Sequence, residues 1–311
     1  MSSTKYASAV AAVKAMESNL ITQGEFEQLI NAKSAAEMDA ILSSGASERN
    51  SLNEVWEMIH DFAPDSEELK ILLYRNDFHN LKAALKAMLS NREPEQYYIT
   101  PTNLELDELK SILTSKEYDY LPEYMRETAE QAYELLTRTL DGQLSDSLID
   151  SAALSAMQKA SYEFGGEFIQ KYSQLITVCA DIKTAYRCSV MNKPYSFIET
   201  AVCGSEELDK ESLARSAQRG TESFFSFLES TTYNEAAEIL KSSPAQFEKW
   251  CDDIITDHAE SARMRSFGTE PLMAYFIAKE TEIKNLRILK VCKECNTNKE
   301  TIMERMRKLY V

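Results

Sequence analysis

The chain has 311 residues and a formal net charge of −16 at neutral pH. An acidic balance of this size argues against binding to nucleic acid and against docking on anionic lipid, because both need a basic surface. Glycine and proline together number only 15, while good helix formers are plentiful, and no segment between turn residues alternates apolar and polar side chains as a half-buried strand would. We therefore predict an all-α protein, long enough to form two or three domains.

Apolar residues at helical spacing mark the predicted elements of the first 190 residues. They predict single helices over 6–20, 25–30, 35–42, 69–89 and 122–140, and two or three helices over 144–190. Gly24 and the pair Asp141-Gly142 are expected to end helices, and Gly165-Gly166 is expected to break the last of these segments. Asp65 is expected to cap the helix that follows it, and residues 43–50 are expected to form a polar loop.

Capping signals mark the helices of the C-terminal third. The sequence Ser243-Pro244-Ala245-Gln246 predicts a capping box with proline in the first helical turn. Thr269 precedes Pro271 in a similar way and is expected to cap a second helix. The sequence Thr297-Asn298-Lys299-Glu300 predicts a further capping box, in which the Thr297 hydroxyl caps the last helix.

The segment Glu270–Val311 has the opposite charge to the rest of the chain. It carries nine Lys or Arg and six Glu, a net charge of +3, which leaves −19 for the remaining residues. A basic end on an acidic body could orient one partner during association. The alternative is that these charges only solvate exposed helix faces.

Short polar motifs recur along the chain at intervals of about 100 residues. They comprise Asp77, Asn80 and Lys82 in the first copy, Asp181 and Lys183 in the second, and Glu282, Asn285 and Arg287 in the third. The central residues of the copies lie 101 and 104 residues apart. An acid, an Asn and a cation at positions i, i+3 and i+5 can bond to a neighbouring helix and fix its register, so we predict a structural role, with partner binding as the alternative.

The repetition predicts related helical units. We place them at residues 1–113, 114–217 and 218–311. Chance similarity between helices of like composition is the alternative explanation.

We find no sequence pattern that predicts a cofactor, a metal or a catalytic residue. Glycine-rich phosphate loops are absent from the sequence, and its three histidines, at positions 60, 79 and 258, lack metal-ligand spacing. Cys292 and Cys295 form a CxxC motif, but there is no second pair for zinc and no βαβ context for a redox site. Reduced thiols are expected, and a helical enzyme that uses this pair is the alternative to a non-catalytic protein.

The sequence also predicts a soluble, cytoplasmic protein. The first 20 residues lack the apolar core of a signal peptide. The longest fully apolar run, Leu272–Ala278, has seven residues, far fewer than a membrane span needs. If the protein serves a membrane machine, it is expected to do so without inserting into lipid.

A specific pattern runs through the C-terminal segment: Gly-x-Glu-Pro-Leu, then Ala-Tyr-x-x-Ala-Lys-Glu-x-Glu-Ile-Lys-Asn-Leu-Arg, then Glu-x-x-x-Glu-Arg-x-Arg-x-Leu-Tyr-Val. Its residues are Gly268, Glu270–Leu272, Ala274, Tyr275, Ala278–Glu280, Glu282–Arg287, Glu300, Glu304, Arg305, Arg307 and Leu309–Val311. This pattern resembles the C subunit of V/A-type ATP synthases, whose family includes the eukaryotic d subunit. The resemblance is firmest over the last 42 residues, moderate over 69–89 and looser elsewhere, where Ala15-Met16-Glu17 matches part of the family's opening helix.

The resemblance implies three lobes arranged as a hollow funnel around a pseudo-threefold axis. It implies a non-catalytic central-stalk component of a proton- or sodium-translocating ATPase, peripheral to the membrane. Such a component joins the rotor shaft, made of the D and F subunits, to the proteolipid ring of c or K type and transmits torque between them. The acidic body is then expected to face basic loops of the shaft or ring. An unrelated acidic helical-repeat scaffold is the alternative function.

Overall fold

The computed structural model describes residues 6–44, 51–63, 66–90 and 93–311. Every regular element in these ranges is helical and none is a strand, which confirms the predicted all-α class. The α-helices in chain order are α1 (Ala7–Met16), α2 (Gln23–Asn31), α3 (Ala35–Ser44), α4 (Leu52–Phe62), α5 (Glu67–Lys70), α6 (Tyr74–Ser90), α7 (Leu106–Ser115), α8 (Glu123–Thr139), α9 (Gly142–Phe164), α10 (Glu167–Val190), α11 (Tyr195–Ala201), α12 (Lys210–Gln218), α13 (Thr221–Glu229), α14 (Asn234–Ser242), α15 (Pro244–Glu260), α16 (Glu270–Glu294) and α17 (Lys299–Arg305). Within the same ranges, no helix has the length and apolar character that crossing a bilayer requires.

The chain divides into two compact units. Unit 1 combines Met1–Asp65 with Glu238–Val311, and unit 2 is Ser66–Ala237. These limits differ from the predicted lobe boundaries, which follow residues 113 and 217. The division into three lobes therefore stays a prediction.

Unit 2 is organised around the antiparallel helices α9 and α10. Gly165-Gly166 separates them, as the sequence predicts. A Cβ on Gly165 would lie 2.1 Å from the Cγ2 of Ile169 and 2.9 Å from the carbonyl oxygen of Ser161, so this tight turn requires glycine. Helices α6 and α8 pack on α9. One core cluster holds residues from all four helices α6, α7, α8 and α9. Its buried residues are Phe78, Leu81, Ala84, Leu85, Leu104, Leu109, Ile112, Leu113, Leu121, Met125, Ala129, Ala132, Leu136, Ile149 and Ala153.

Unit 1 is organised around α16, which packs against α1, α3, α4, α15 and α17. Every residue from Pro271 to Lys279 is buried, which is the pattern of a helix enclosed on all sides. Trp56 on α4 meets Phe276 edge to face, with ring centroids 5.7 Å apart. A further apolar cluster joins the end of α16 to α2, α3 and α17. Helices from both ends of the chain thus share one core.

Several predicted helix starts are confirmed. Helix α15 begins with Pro244 in its first turn, and the Ser243 side chain accepts a 3.4 Å hydrogen bond from the amide of Gln246. This is only one half of the predicted capping box, since the Gln246 side chain donates to the carbonyl of Glu304 at 3.3 Å. Helix α16 begins at Glu270 with Pro271 in its first turn. The Thr269 side chain makes no capping hydrogen bond there, so only the position of this start is as expected.

Two predicted helix ends are wrong. Gly24 lies inside α2, because Thr22 forms a capping box with Glu25 and starts a helix before it. The pair Asp141-Gly142 opens α9 instead of closing α8, since the Asp141 carboxylate accepts a 2.9 Å hydrogen bond from the amide of Leu144.

The last helix starts one residue later than predicted. Asn298 is its cap, accepting a 2.8 Å hydrogen bond from the amide of Thr301. The amide of Thr297 instead closes α16 by donating to the carbonyl of Cys292 at 2.9 Å.

The predicted helix over 69–89 and the predicted loop over 43–50 also differ from the structure. The helix is interrupted by a 3₁₀ turn at Ile71–Leu73, and α3 extends through Ser44. The Asp65 cap and residues 45–50 of the loop lie outside the described residues.

Candidate functional site

The residues of the recurrent polar motifs lie on α6, α10 and α16, and most of them are buried. The buried members are at most 4% exposed: Asp77, Asn80, Asp181, Glu282 and Asn285. Lys82 and Lys183 are half-buried, and Arg287 is exposed. The motifs therefore place acceptor groups and amides in the protein interior, where each needs a hydrogen-bond partner.

Two of the central residues bind a downstream backbone in the same way. The Oδ1 of Asn80 accepts a bond from the amide of Ile99, and its Nδ2 donates to the carbonyl of the same residue, both at 2.9 Å. Asn285 accepts from the amide of Arg307 at 2.8 Å and donates to its carbonyl at 3.1 Å. A carboxamide carries a donor and an acceptor side by side, so each Asn pairs with both backbone polar groups of one residue.

Asp181 binds the equivalent backbone with a carboxylate. Its Oδ1 accepts from the amide of Cys203 at 2.8 Å, and its Oδ2 accepts from the amide of Gly204 at 2.6 Å. Gly204 has φ of +83°, and a Cβ there would lie 2.6 Å from the Cβ of Lys210. Burial raises the pKa of Asp181 to about 6, and the two amide bonds and the Lys210 charge offset only part of this effect.

Asp181 is expected to make stability depend on pH. Because its pKa is about 6 when folded and 3.8 in the reference state, the folded protein holds the proton more tightly. Its contribution to stability therefore falls as pH rises from about 4 to about 6, and is constant above that range. Urea denaturation at pH 4 to 7 should show wild type losing about 2–3 kcal/mol relative to Asp181→Asn.

A suitable control for this experiment is Asp209, the cap of α12. Bonds from Ser212 lower the pKa of Asp209, so its contribution to stability grows as pH rises through that pKa. Because that pKa lies below the ordinary value of 3.8, the difference in stability between wild type and Asp209→Asn should stay nearly constant from pH 4 to pH 7. Parallel pH profiles for wild type and Asp181→Asn would show that burial does not govern the Asp181 carboxyl.

Asp77 fixes the segment that leads into α7. Its carboxylate accepts bonds from the backbone amide of Asn103 at 2.9 Å, from the Asn103 side chain at 2.8 Å and from the Tyr124 hydroxyl at 2.7 Å. Tyr124 also stacks on Tyr74, with centroids 3.9 Å apart. Burial raises the pKa of Asp77, and the Tyr124 and Asn103 bonds oppose that rise. Asp77 thus joins α6 to α8 and to the segment that precedes α7.

Glu282 occupies the same place in the third motif but binds different partners. Its Oε1 forms a 2.5 Å ion pair with Lys279, and both side chains are about 95% buried. Its Oε2 accepts a 2.6 Å bond from the amide of Ile21. An enclosed ion pair on α16 thus holds the N-terminal segment between α1 and α2.

The basic residue that ends each motif has no role in common with the other two. Lys82 on α6 pairs with Asp150 on the neighbouring helix α9 at 2.6 Å. Lys183 is half-buried on α10, and Arg287 is exposed on α16. The register role of the motifs stays a prediction.

A further shared feature was missed in the sequence. An Asn follows each central residue by 11 positions, at Asn91, Asn192 and Asn296. Asn192 and Asn296 both have φ of +52° and end α10 and α16, and in both cases the next amide donates to the carbonyl five residues back, at 3.0 and 2.9 Å. Asn tolerates this left-handed conformation, so the fixed spacing was a usable signal.

The two cysteines of the CxxC motif lie at the C-terminal end of α16 and differ in exposure. Cys292 is a buried thiol in the apolar cluster of unit 1, and Cys295 is an exposed free thiol. Across the described residues, no group of His, Cys, Asp or Glu is arranged to hold a metal ion.

Basic side chains of the C-terminal segment Glu270–Val311 form ion pairs within unit 1. The pairs are Lys284 and Arg307 with Asp252, Lys290 with Asp39, and Lys308 with Asp257 and Glu260.

The polar motifs recur within a sequence that matches a known family. A profile of the family described as ATP synthase (C/AC39) subunit matches residues 9–305. The chain belongs to the ATP synthase (C/AC39) subunit family. This C/AC39 chain is 25% identical over 318 residues to the C subunit of the V-type sodium ATPase of Enterococcus hirae, an alignment that covers 96% of this chain and 97% of that protein. The resemblance to the C subunit of V-type ATPases is confirmed, and it extends far beyond the C-terminal segment.

Proposed function

We propose that this C/AC39 chain is a non-catalytic central-stalk component of a V/A-type ATPase. It joins the rotor shaft of D and F subunits to the membrane proteolipid ring and transmits torque between ATP chemistry and ion movement. The observation that carries the proposal is the match to the C subunit of a V-type ATPase over nearly the full length of both chains. In this role the protein works in the cytoplasm, at the membrane periphery.

The buried anchors support this mechanical role. Torque passes through a body with little loss only if its segments do not shift under load. Asn80, Asp181 and Asn285 each tie a downstream segment to a long helix by two hydrogen bonds, which are buried at Asn285 and partly buried at the other two residues. Breaking such bonds in the interior costs about 1–3 kcal/mol for each group left without a partner. We assign the motif residues to this register-holding role.

The recurrence of these anchors also supports a threefold design. Each anchor binds a backbone 19 to 23 residues downstream, and α7, α12 and α1 pack on the anchored helices α6, α10 and α16. Three related lobes around a pseudo-threefold axis form a funnel that receives the shaft tip. The acidic body then attracts a basic shaft surface, with an association rate that falls as salt rises.

Co-purification with the shaft tests this proposal. The tagged chain, co-expressed with the D and F subunits, is expected to retain both in a 1:1:1 complex at low salt. Association measured by stopped flow should slow at least several-fold between about 0.05 and 0.5 M salt, because screening weakens the attraction. Failure to retain D and F at low salt would contradict the rotor role. An association rate independent of salt would contradict only its electrostatic part.

A further inference from the structure

The segment after α17 is not helical and lies along α15. We refer to residues 306–311 as the C-terminal strap, in which Met306, Arg307 and Tyr310 are buried. Its polar contacts to α15 follow the chain order of both segments. They join Met306 to Lys249, Arg307 to Asp252, and Lys308 to Asp253, Asp257 and Glu260, at distances of 2.5–2.8 Å. The strap therefore runs parallel to α15 and brings Tyr310 towards the end of that helix.

Four residues from three parts of the chain form a closed ring of polar contacts around Tyr310. Lys14 on α1 forms a 2.6 Å ion pair with Glu17 and also donates to the carbonyl of Arg263, in the loop between α15 and α16. Arg263 donates to the carbonyl of Tyr310 at 3.3 Å, and its guanidinium lies over the Tyr310 ring. The Tyr310 hydroxyl completes the ring by donating to Glu17 at 3.2 Å. We refer to Lys14, Glu17, Arg263 and Tyr310 as the clasp.

Two members of the clasp are largely shielded from water. Tyr310 is 4% exposed, and the Glu17 side chain is 12% exposed. Burial raises the pKa of the Tyr310 phenol, and the Glu17 carboxylate raises it further, so the hydroxyl keeps its proton and stays a donor at neutral pH. A hydrogen bond to a carboxylate is stronger than one between neutral groups, and burial limits its screening by salt. The contact from the strap to Glu17 is therefore a firm one.

Helix α1 has few apolar contacts that could hold it in place without the clasp. Its buried residues are Ala9, Val10 and Val13, which are all small. Its N-cap residue, Tyr6, makes no side-chain capping bond. A helix of ten residues is marginal in water by itself, so its stability depends on what it packs against. The polar contacts at its C-terminal end therefore provide a large part of its attachment.

We propose that the clasp is a latch that holds α1 on unit 1, and that its opening releases α1 as a separate unit while α16 stays folded. Local opening of this kind occurs in parts of a protein with few buried apolar contacts. The bond from the amide of Ile21 to Glu282 limits the released segment, because it holds the chain shortly after α1. Release uncovers the parts of α4 and α16 on which α1 packs. The inference does not depend on the rotor role, since all of these residues lie in unit 1.

Hydrogen exchange of the full chain tests the latch. Tyr310→Phe removes only the hydroxyl that bonds Glu17, and Lys14→Met removes both contacts of the Lys14 amine. We expect the amides of α1 to exchange about tenfold faster in each variant, because each variant loses a bond to a charged group. The amides of residues 272–279 in the buried part of α16 should exchange at the wild-type rate. In the double variant the two effects should not multiply, because both substitutions open the same clasp.

Two control variants remove similar contacts elsewhere. Tyr195→Phe removes a Tyr–Glu bond of the same length, 3.2 Å to Glu199, in unit 2. Lys290→Met removes an exposed 2.9 Å ion pair with Asp39 in unit 1. Neither control should change the exchange of α1.

Three results would overturn the inference. Equal exchange of α1 in wild type and both clasp variants would show that apolar contacts alone hold this helix. Exchange of α1 and of residues 272–279 at one common rate, in wild type or in the variants, would show that α1 opens only when unit 1 unfolds. Acceleration of α1 in Lys290→Met equal to that in Lys14→Met would show a general weakening of unit 1 instead of a specific latch.

Discussion

Replacing Lys279 by methionine is expected to lower the free energy of unfolding by about 3–5 kcal/mol. Glu282 would then lie in the interior of unit 1 without its counter-charge, which at present is 2.5 Å away. Desolvating a lone carboxylate is far more costly than desolvating a paired one. Urea denaturation followed by circular dichroism measures the loss.

The double variant Lys279→Met/Glu282→Gln separates this effect from a loss of packing. It removes both charges, and the glutamine oxygen can still accept the bond from the amide of Ile21. Most of the lost stability should therefore return, with a coupling energy of about 2–3 kcal/mol in the double-mutant cycle. If the losses from the single variants simply add, the two side chains do not act as an ion pair.

The second large effect is expected at Asn285. Alanine there leaves the amide and carbonyl of Arg307 without their partner in a site that is fully buried. Two orphaned backbone groups should lower stability by about 2–5 kcal/mol. Hydrogen exchange should also show the Arg307 amide losing protection before the amides of α16 do.

A neighbouring variant provides the matched control for Asn285. Arg287 lies two residues away on the same helix, but its side chain is exposed. Arg287→Ala should change stability by less than about 0.5 kcal/mol. An Asn285→Ala protein as stable as wild type, with the Arg307 amide still protected, would disprove the anchoring role.

The sequence predicts the helices well wherever one residue type alone can start or stop them. Ser243 before Pro244 and the Gly165-Gly166 break are examples, because proline and paired glycines leave few alternatives. Prediction fails where two signals compete. Thr297 and Asn298 can both cap a helix, and the bond that closes α16 decides between them. The left-handed conformation of Leu140, the residue that ends α8, could not be predicted, since leucine rarely adopts it.

The buried polar residues could be found in the sequence, but their partners could not. Asn80, Asp181 and Asn285 stand out because polar groups are unusual in apolar helices. Their partners are mostly backbone atoms of Ile99, Cys203, Gly204 and Arg307, and a backbone amide has no sequence signature. The sequence therefore predicts that these residues bond to a neighbouring helix, whereas in the structure they bond to the backbone of non-helical segments.

The composition of unit 1 from both ends of the chain has a consequence for synthesis. Helices α1 to α4 leave the ribosome before unit 2, whereas α15 to α17, which complete their core, follow it. At about 5–20 residues per second, the intervening segment of about 170 residues takes roughly 10–35 seconds to translate. During that interval unit 2 is synthesised, while α1 can contact α4 but lacks α16, and α2 lacks α17. Unit 1 is thus the later unit to mature, and the nascent N-terminus depends on chaperones or on its own solubility until α16 emerges.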